Sequence, residues 1–324
     1  MQLLVSGIYI NGDDNLNIEL VSPTGEPLPA SSPGAHIDIR TPSGMLRQYS
    51  ICFPQSINQR QGTDRYLICI RQQVTGRGGS RSLHSELRVR DIVEASEPRN
   101  LFPLPDNAKK YLLFSAGIGI TPIIGMALEL VNRGANVVWH HFEQHEGRVA
   151  FLQELTRAPL NNIVHLHLSS EGESFRSLHL DELEKPDPDT AIMACGPSGF
   201  LSHLESRIEH SGWAAEQLHV EHFQAAYTPS TADENNTPFE VEIASSGQTF
   251  TIEPNQTIAE VLNDNGVNVE ISCGQGMCGT CVCGVLKGQP DHRDIILSPM
   301  EREANDVMTL CCSRAKTPLL VLDL

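Results

Sequence analysis

The spacing of the last cysteines constrains this chain more than any other feature. Cys273 is followed after four residues by Cys278, after two more by Cys281, and after a further 29 by Cys311. Three closely spaced thiols with a fourth brought from a distance make the C-x4-C-x2-C…C arrangement that holds a 2Fe–2S cluster. A loop carrying three of those thiols must take unusual backbone conformations and turn its amides inward. Gly274, Gly276 and Gly279 supply that freedom, and inward amides would tune the cluster potential. Structural zinc prefers paired C-x2-C hooks, and only one is present. Cys283 is expected in the core. Cys311 and Cys312 are adjacent, so one ligates, and the 29-residue gap favours Cys311.

Six of the nine cysteines lie between residues 273 and 312. In a reducing compartment such clustering reads as metal ligation before disulfides. Residues 1–7 show no basic region and no long apolar core, so no signal peptide is expected and the cytoplasm is the expected compartment. No apolar stretch reaches the length of a membrane span. The net charge of −17 argues against a nucleic-acid surface. A monomer is the default expectation.

Three segments follow from the patterning of the 324 residues. Residues 1–103 carry short alternating runs, such as 35–39 and 65–70, between Gly, Pro and Ser turns, which suggests a sandwich or barrel. Residues 104–226 alternate strand-like runs (111–115, 136–139, 163–168, 190–194) with helical ones (122–132, 151–155, 197–210), which implies a parallel sheet of βαβ units. Residues 227–237 are polar and aperiodic, the best linker in the chain. Residues 238–324 open with a hairpin (239–243 and 249–252) and a short helix over 257–265 closed by Gly266.

Several shorter motifs carry cofactor chemistry. Arg47-Gln48-Tyr49-Ser50 opens an apolar run. Gly76-Arg77-Gly78-Gly79-Ser80-Arg81 precedes a helix, where glycine amides and Arg and Ser side chains suit a phosphate. Gly117-Ile118-Gly119-Ile120-Thr121-Pro122 sits where a strand meets a helix. Its first two glycines have dinucleotide spacing, although Pro122 stands where the third would be. Thr121 is expected to offer its hydroxyl to a pyrophosphate, and Pro122 to stand in the first helical turn. Cys195-Gly196-Pro197 follows another strand, at the carboxyl end of the sheet where ligands gather. The histidine pairs His140-His141 and His165-x-His167 read as strand residues rather than metal ligands.

In this order the motifs resemble the phthalate dioxygenase reductase family, which includes the reductase subunits of vanillate-type O-demethylases. The resemblance covers essentially the whole chain. It implies an N-terminal FMN-binding β-barrel (1–103), a ferredoxin-reductase-like NAD(P)-binding α/β domain (104–226) and, after the 227–237 linker, a β-grasp ferredoxin domain (238–324) with a plant-type 2Fe–2S cluster. Arg47 would then reach the flavin phosphate, Tyr49 pack on the flavin ring and Ser50 hydrogen-bond its reactive edge. Gly78, Gly79, Ser80 and Arg81 would hold the FMN phosphate. Gly117, Gly119, Thr121 and Pro122 would form the dinucleotide turn. Cys195, Gly196 and Pro197 would lie on the nicotinamide side, with Glu221 and Phe223 beside the flavin; Ser50, Cys195, Glu221 and Phe223 are the candidate catalytic residues. Cys273, Cys278, Cys281 and Cys311 would hold the iron. His292-Arg293-Asp294 and Ser313-Arg314-Ala315 match the ferredoxin part.

One departure stands out. Relatives usually carry a Tyr and, three residues on, an Arg; here these are His141 and Gln144, with Arg148 nearby. No pair of arginines marks a 2′-phosphate site, so NADH is expected, with NADPH the alternative. The implied activity is electron transfer from NADH through FMN and the 2Fe–2S cluster to a Rieske-type terminal oxygenase. A diaphorase using small acceptors is the rival, though small acceptors need no one-electron relay. A non-enzymatic iron–sulfur sensor would make the flavin motifs accidental.

Overall fold

Short alternating runs dominate the first hundred residues, and they pair as antiparallel strands. The computed structural model describes residues 1–53, 63–73, 78–223 and 236–324. Contacts divide the chain into two units, Met1–Phe223 and Gln224–Leu324.

The first unit begins with β1 (Gln2–Ile10), β2 (Asn15–Val21), β3 (Ala35–Arg40), β4 (Leu46–Ser50), β5 (Arg65–Arg71), helix α1 (Gly79–Ser85), β6 (Ile92–Glu94) and β7 (Arg99–Asn100). The strands form two antiparallel sheets, ordered β5-β2-β1-β6 and β4-β3-β7. Val5, Ile18, Leu20, Ile37, Ile39 and Ile68 fill one core. Single bridges join the sheets, Ile39 to Ala95 and Ile51 to Ile68. Among the described residues this makes two sheets touching at isolated points, not the continuous closed barrel that the resemblance implied.

The same unit continues with β8 (Lys110–Ala116), α2 (Ile120–Asn132), β9 (Asn136–Glu143), α3 (Leu152–Leu155), β10 (Val164–Leu168), β11 (Thr190–Gly196), α4 (Ser198–His210) and β12 (Leu218–His222). These strands form a wholly parallel sheet, ordered β10-β9-β8-β11-β12. Strand order reverses between β8 and β11, and crevices form at the carboxyl ends of such a pair. β11 is buried along its whole length, as a central strand covered on both faces must be. Helix α2 starts two residues before Pro122, because the 3-10 turn Gly117–Gly119 runs straight into it. Proline is tolerated there, since the first turn's amides have no intrahelical acceptor. Cys52, Cys69 and Phe102 from the β-rich part share a core with Leu113, Ile123, Trp139 and Phe151 of the α/β part. The two parts therefore bury each other's apolar surface.

The second unit contains β13 (Phe239–Ile243), β14 (Thr249–Ile252), α5 (Ile258–Asp264), β15 (Val282–Lys287), β16 (Pro290–Asp291), α6 (Pro299–Ala304), β17 (Val307–Thr309), β18 (Arg314–Ala315) and β19 (Leu319–Leu322). Its main sheet is mixed, ordered β14-β13-β19-β15-β17, with β13 and β19 parallel. Thr257 and Glu260 close a capping box at the start of α5, with bonds of 3.1 and 3.0 Å. The helix lays Ile258, Ala259, Val261 and Leu262 against Val241, Val285 and Leu320. Residues 227–235 of the expected linker lie outside the described residues. Asn236 and Thr237 are already tied in, by Arg293 Nη2 to Asn236 Oδ1 at 2.9 Å and Arg314 Nη2 to the Thr237 carbonyl at 3.1 Å. Among the described residues no helix is long and apolar enough to cross a membrane.

Candidate functional site: a cysteine loop and a sheet edge

The cysteine loop is shaped by its glycines. Gly274, Gly276 and Gly279 have φ of 64°, 70° and 73°, in the left-handed region that costs other residues about 1–2 kcal/mol. The backbone amides of Gln275 and Met277 donate to Cys273 Sγ at 3.3 and 3.4 Å. A Cβ at Gly276 would lie 2.5 Å from Cys312 Sγ and 2.7 Å from Asp294 Cα, so the loop closes only without a side chain there. Cys278, Cys281 and Cys311 are buried, and Cys273 is half-buried.

The thiols run as a chain. Cys273 meets Cys278 and Cys311, and Cys311 meets Cys281. Hydrogen bonds from Cys278 and Cys311 hold the Cys273 thiol well below its ordinary range. The same pairing, led by Cys273, pushes Cys311 up. Among the described residues no three His, Cys, Asp or Glu side chains surround a single ion-sized point. A chain of four thiols over inward amides suits ligands shared between two irons. Cys311, not Cys312, lies against Cys273 and Cys281; Cys312 bonds to Cys311 and to Thr309 Oγ1, the latter at 3.1 Å. Cys283 points into the core, where burial raises its thiol to about 11.

Behind the loop, the Asp294 side chain is fully enclosed. It accepts from the Leu297 amide at 2.9 Å and from Ser313 Oγ at 3.5 Å. Arg314 is a brace: it donates to the carbonyls of Gln256 and Glu253 at 2.8 and 3.3 Å and stands 5.0 Å over the Phe239 ring.

In the first unit, the fold brings Arg47 of β4 beside the start of α1. A Cβ at Gly79 would lie 2.8 Å from Arg47 Cγ, so the glycine lets the arginine stem pass beneath the loop. Gly78 has φ 95° and provides no side-chain cap, which leaves the first amides of α1 uncapped by it. Ser80 Oγ accepts from the Gln73 amide at 3.0 Å. Gly76 and Arg77 of this motif lie outside the described residues. Tyr49 and Ser50 follow on β4; burial pushes the Tyr49 phenol well above its usual range.

At the sheet edge, the Gly117–Gly119 turn presses on the end of β11. A Cβ at Gly119 would lie 2.5 Å from the Cys195 carbonyl carbon and 2.7 Å from the Gly196 nitrogen. Register places His141, Ser115, Cys195 and Glu221 in one row across β9, β8, β11 and β12. Burial pushes Cys195 up and raises Glu221 to about 8. Phe223, just beyond β12, is exposed. The Thr121 hydroxyl donates to the Ile118 carbonyl at 3.0 Å and so stitches the turn.

Residues 241–316 match a family described as the 2Fe-2S iron-sulfur cluster binding domain. The chain is 39% identical over 325 residues to the vanillate O-demethylase oxidoreductase of a Pseudomonas strain, covering 100% of both. It is 36% identical over 314 residues to the phthalate dioxygenase reductase of Burkholderia cepacia, covering 96% of this chain and 93% of that protein. The chain belongs to the phthalate dioxygenase reductase family. A solved phthalate dioxygenase reductase, described as a modular structure for electron transfer from pyridine nucleotides to 2Fe–2S, superposes with a TM-score of 0.73. It is 34% identical, and the match covers 100% of this chain and 98% of that one.

Within this phthalate dioxygenase reductase fold, three buried imidazoles stand out: His36 escaped the sequence reading, while His140 and His141 lie on β9 as the strand residues expected. His36 is fully buried opposite Ser50, with neither ring nitrogen hydrogen-bonded. His140 shares its Nδ1 with His167 Nε2 at 2.9 Å. His141 Nδ1 lies 2.8 Å from Ser115 Oγ, which also accepts from Trp139 Nε1 at 2.8 Å. Burial holds His36 down to about 4 and His140 and His141 down to about 3, and nearby Arg99, His167 and Arg71 respectively add to it.

These imidazoles stay neutral when folded, while the unfolded chain takes up protons below about pH 6.5. Their stabilisation is therefore complete above pH 6.5 and declines as pH falls toward the folded values. Each loses about 1.4 kcal/mol per pH unit in that window, so the three together lose roughly 4 kcal/mol between pH 7.5 and 5.5, while Glu221, raised to about 8 in the same unit of the chain, regains roughly 2.5 kcal/mol and leaves a net loss of about 1.5 kcal/mol. Both tryptophans, Trp139 and Trp213, lie in the first unit. Tryptophan-monitored unfolding is expected to show that loss, and a transition independent of pH would contradict it.

Proposed function

We propose that this chain is the reductase component of an oxygenase or demethylase system. It oxidises NADH and delivers electrons one at a time to a Rieske-type terminal oxygenase in the cytoplasm. Bound FMN would supply two-electron hydride acceptance, and a 2Fe–2S cluster held by Cys273, Cys278, Cys281 and Cys311 would supply one-electron relay. The protein's own contribution is position. Arg47 and the amides of Gly78, Gly79 and Ser80, with Arg81, would hold the flavin phosphate, Tyr49 would cover the ring and Ser50 would meet its reactive edge. Gly117, Gly119, Gly196 and Pro197 would shape the close-packed turn that receives the dinucleotide beside Cys195, with Pro122 fixing the first turn of α2. Glu221, neutral over much of the physiological range, would avoid placing a fixed charge near the nicotinamide.

The observation that carries this reading is one chain joining a close-packed βα turn at a parallel-sheet switch point to a four-thiol loop with inward amides. The relatives named above support the oxygenase partner. NADH is favoured over NADPH because Arg148 is committed: Nη2 lies 3.2 Å from Asp14 and Nη1 3.1 Å from Gln144 Oε1. Anaerobic titration of the purified holoprotein, first with NADH and then with NADPH, tests the reading. Bleaching of flavin and iron–sulfur bands by about three electrons per chain is expected, two on the flavin and one on the cluster. A colourless protein, or one that neither nucleotide reduces, would refute it.

A further inference from the structure

Arg71 stands at the end of β5, yet most of its contacts are on the other side of the first unit. Its Nη2 lies 2.6 Å from Glu143 Oε2 at the end of β9 and donates to the Arg148 carbonyl at 2.9 Å. Its Nε donates to Asn15 Oδ1 at 3.0 Å. Asn15 is itself 1% exposed and donates to the Asn11 and Arg148 carbonyls at 3.0 and 3.2 Å. The Arg71 side chain is 12% exposed and that of Glu143 6%. The guanidinium is thus held flat by partners from three segments and has little freedom to rotate.

A guanidinium carries five N–H donors. Here Nε and Nη2 are engaged, and Nη1 makes no hydrogen bond among the described residues. It lies over the dinucleotide turn: a Cβ at Gly117 would stand 2.8 Å from Nη1 and 3.7 Å from Glu143 Oε2. Gly117 has φ 56°, so conformation and space both demand glycine there. A purely mechanical brace needs no spare donor at that place. A buried, immobilised guanidinium with a free nitrogen at a glycine turn is built to receive an anion.

We propose that Arg71 is a coenzyme-binding residue whose Nη1 donates to the pyrophosphate of the pyridine nucleotide at the Gly117 turn. Glu143 and Asn15 act as positioning residues that aim it. This rests on the reading of the chain as a pyridine-nucleotide reductase.

The test uses the full-length holoprotein, as wild type, Arg71→Met, Arg71→Lys and Glu143→Gln. Anaerobic rapid mixing against NADH gives the dissociation constant and the limiting rate of flavin bleaching. ADP, which has a pyrophosphate, and AMP, which has none, are then used as competitors. Arg71→Met is expected to weaken NADH and ADP by about 10- to 100-fold, the loss of a charge-assisted bond. AMP binding should move less than about three-fold, with flavin content unchanged. Arg71→Lys keeps the charge but not the fork, and is expected to weaken ADP by about five-fold. It keeps the inference testable where Arg71→Met does not fold. Glu143→Gln is expected to weaken ADP more than AMP, through loss of aim.

Equal effects on ADP and AMP, or none on either, would overturn the inference while leaving the reductase reading intact. So would a change confined to the limiting rate. A wild type that neither NADH nor NADPH reduces would overturn the reductase reading and this inference with it.

Discussion

Cys311→Ser is expected to yield protein without a 2Fe–2S cluster, whereas Cys312→Ser should retain one. Cys311 lies against Cys273 and Cys281, at the middle of the thiol chain. Cys312 touches Cys311 alone of the four, is bonded to Thr309 and is packed on Gly276. Loss of an outer-shell partner typically weakens a metal site by roughly 10–100-fold, and loss of a ligand should exceed that. The readouts are iron and sulfide content, visible absorbance and electron paramagnetic resonance after dithionite reduction. Reduction of a dye by NADH should survive Cys311→Ser, because it draws on the first unit alone, while turnover coupled to the oxygenase disappears. Normal iron content in Cys311→Ser together with loss in Cys312→Ser would reverse the assignment.

The second large effect is expected at Gly119. Its φ of −63° is ordinary, so conformation does not demand glycine there. Space does, because a Cβ would stand 2.5 Å from the Cys195 carbonyl carbon and 2.7 Å from the Gly196 nitrogen. Both obstacles are backbone, and β11 is held by ladders to β8 and β12 on either side. Gly119→Ala should therefore cost at least the 1–3 kcal/mol typical of overpacking, about 2 kcal/mol or more. It should also push the turn away from Cys195. A displacement of about 1 Å at a reacting pair can cost on the order of 100-fold in rate. Tryptophan-monitored melting and rapid-mixing reduction by NADH check the two parts. An unchanged melt and an unchanged rate would show that the turn is looser than its packing implies.

What the sequence revealed depended on how local the constraint was. The cysteine spacing was legible because cluster geometry acts along a short piece of chain. Helix α5 was legible because Thr257, Glu260 and Gly266 punctuate an apolar run. The start of α2 was misplaced by two residues because proline signals a first turn without saying which residue of it. Phe151 was read as helical, but it adopts φ 59° as the cap preceding α3; glycine and, less strongly, Asn and Asp announce that conformation, and a bulky aromatic does not. Among the described residues the expected barrel resolves into two sheets joined at the Ile39–Ala95 and Ile51–Ile68 bridges, which are single pairs too brief to leave a pattern. Arg71 was silent for the opposite reason. Its partners at positions 15, 143 and 148 come together only once both parts of the unit have folded.

That meeting of parts bears on how such reductases may be recombined. Asn11 Oδ1 accepts from the Phe151 amide at 2.7 Å, and the Asp13 amide donates to the Gly147 carbonyl at 2.8 Å. With the Asn15–Arg148 and Arg71–Glu143 contacts, these cross from the β-rich part to the α/β part. A crossover after residue 103, where the change of rhythm invites one, would give each of the side chains among these groups a foreign partner. A chimera cut there inherits two halves of a lock from different parents, and the side chains to transplant with the nucleotide-binding half are Asn11, Asn15 and Arg71.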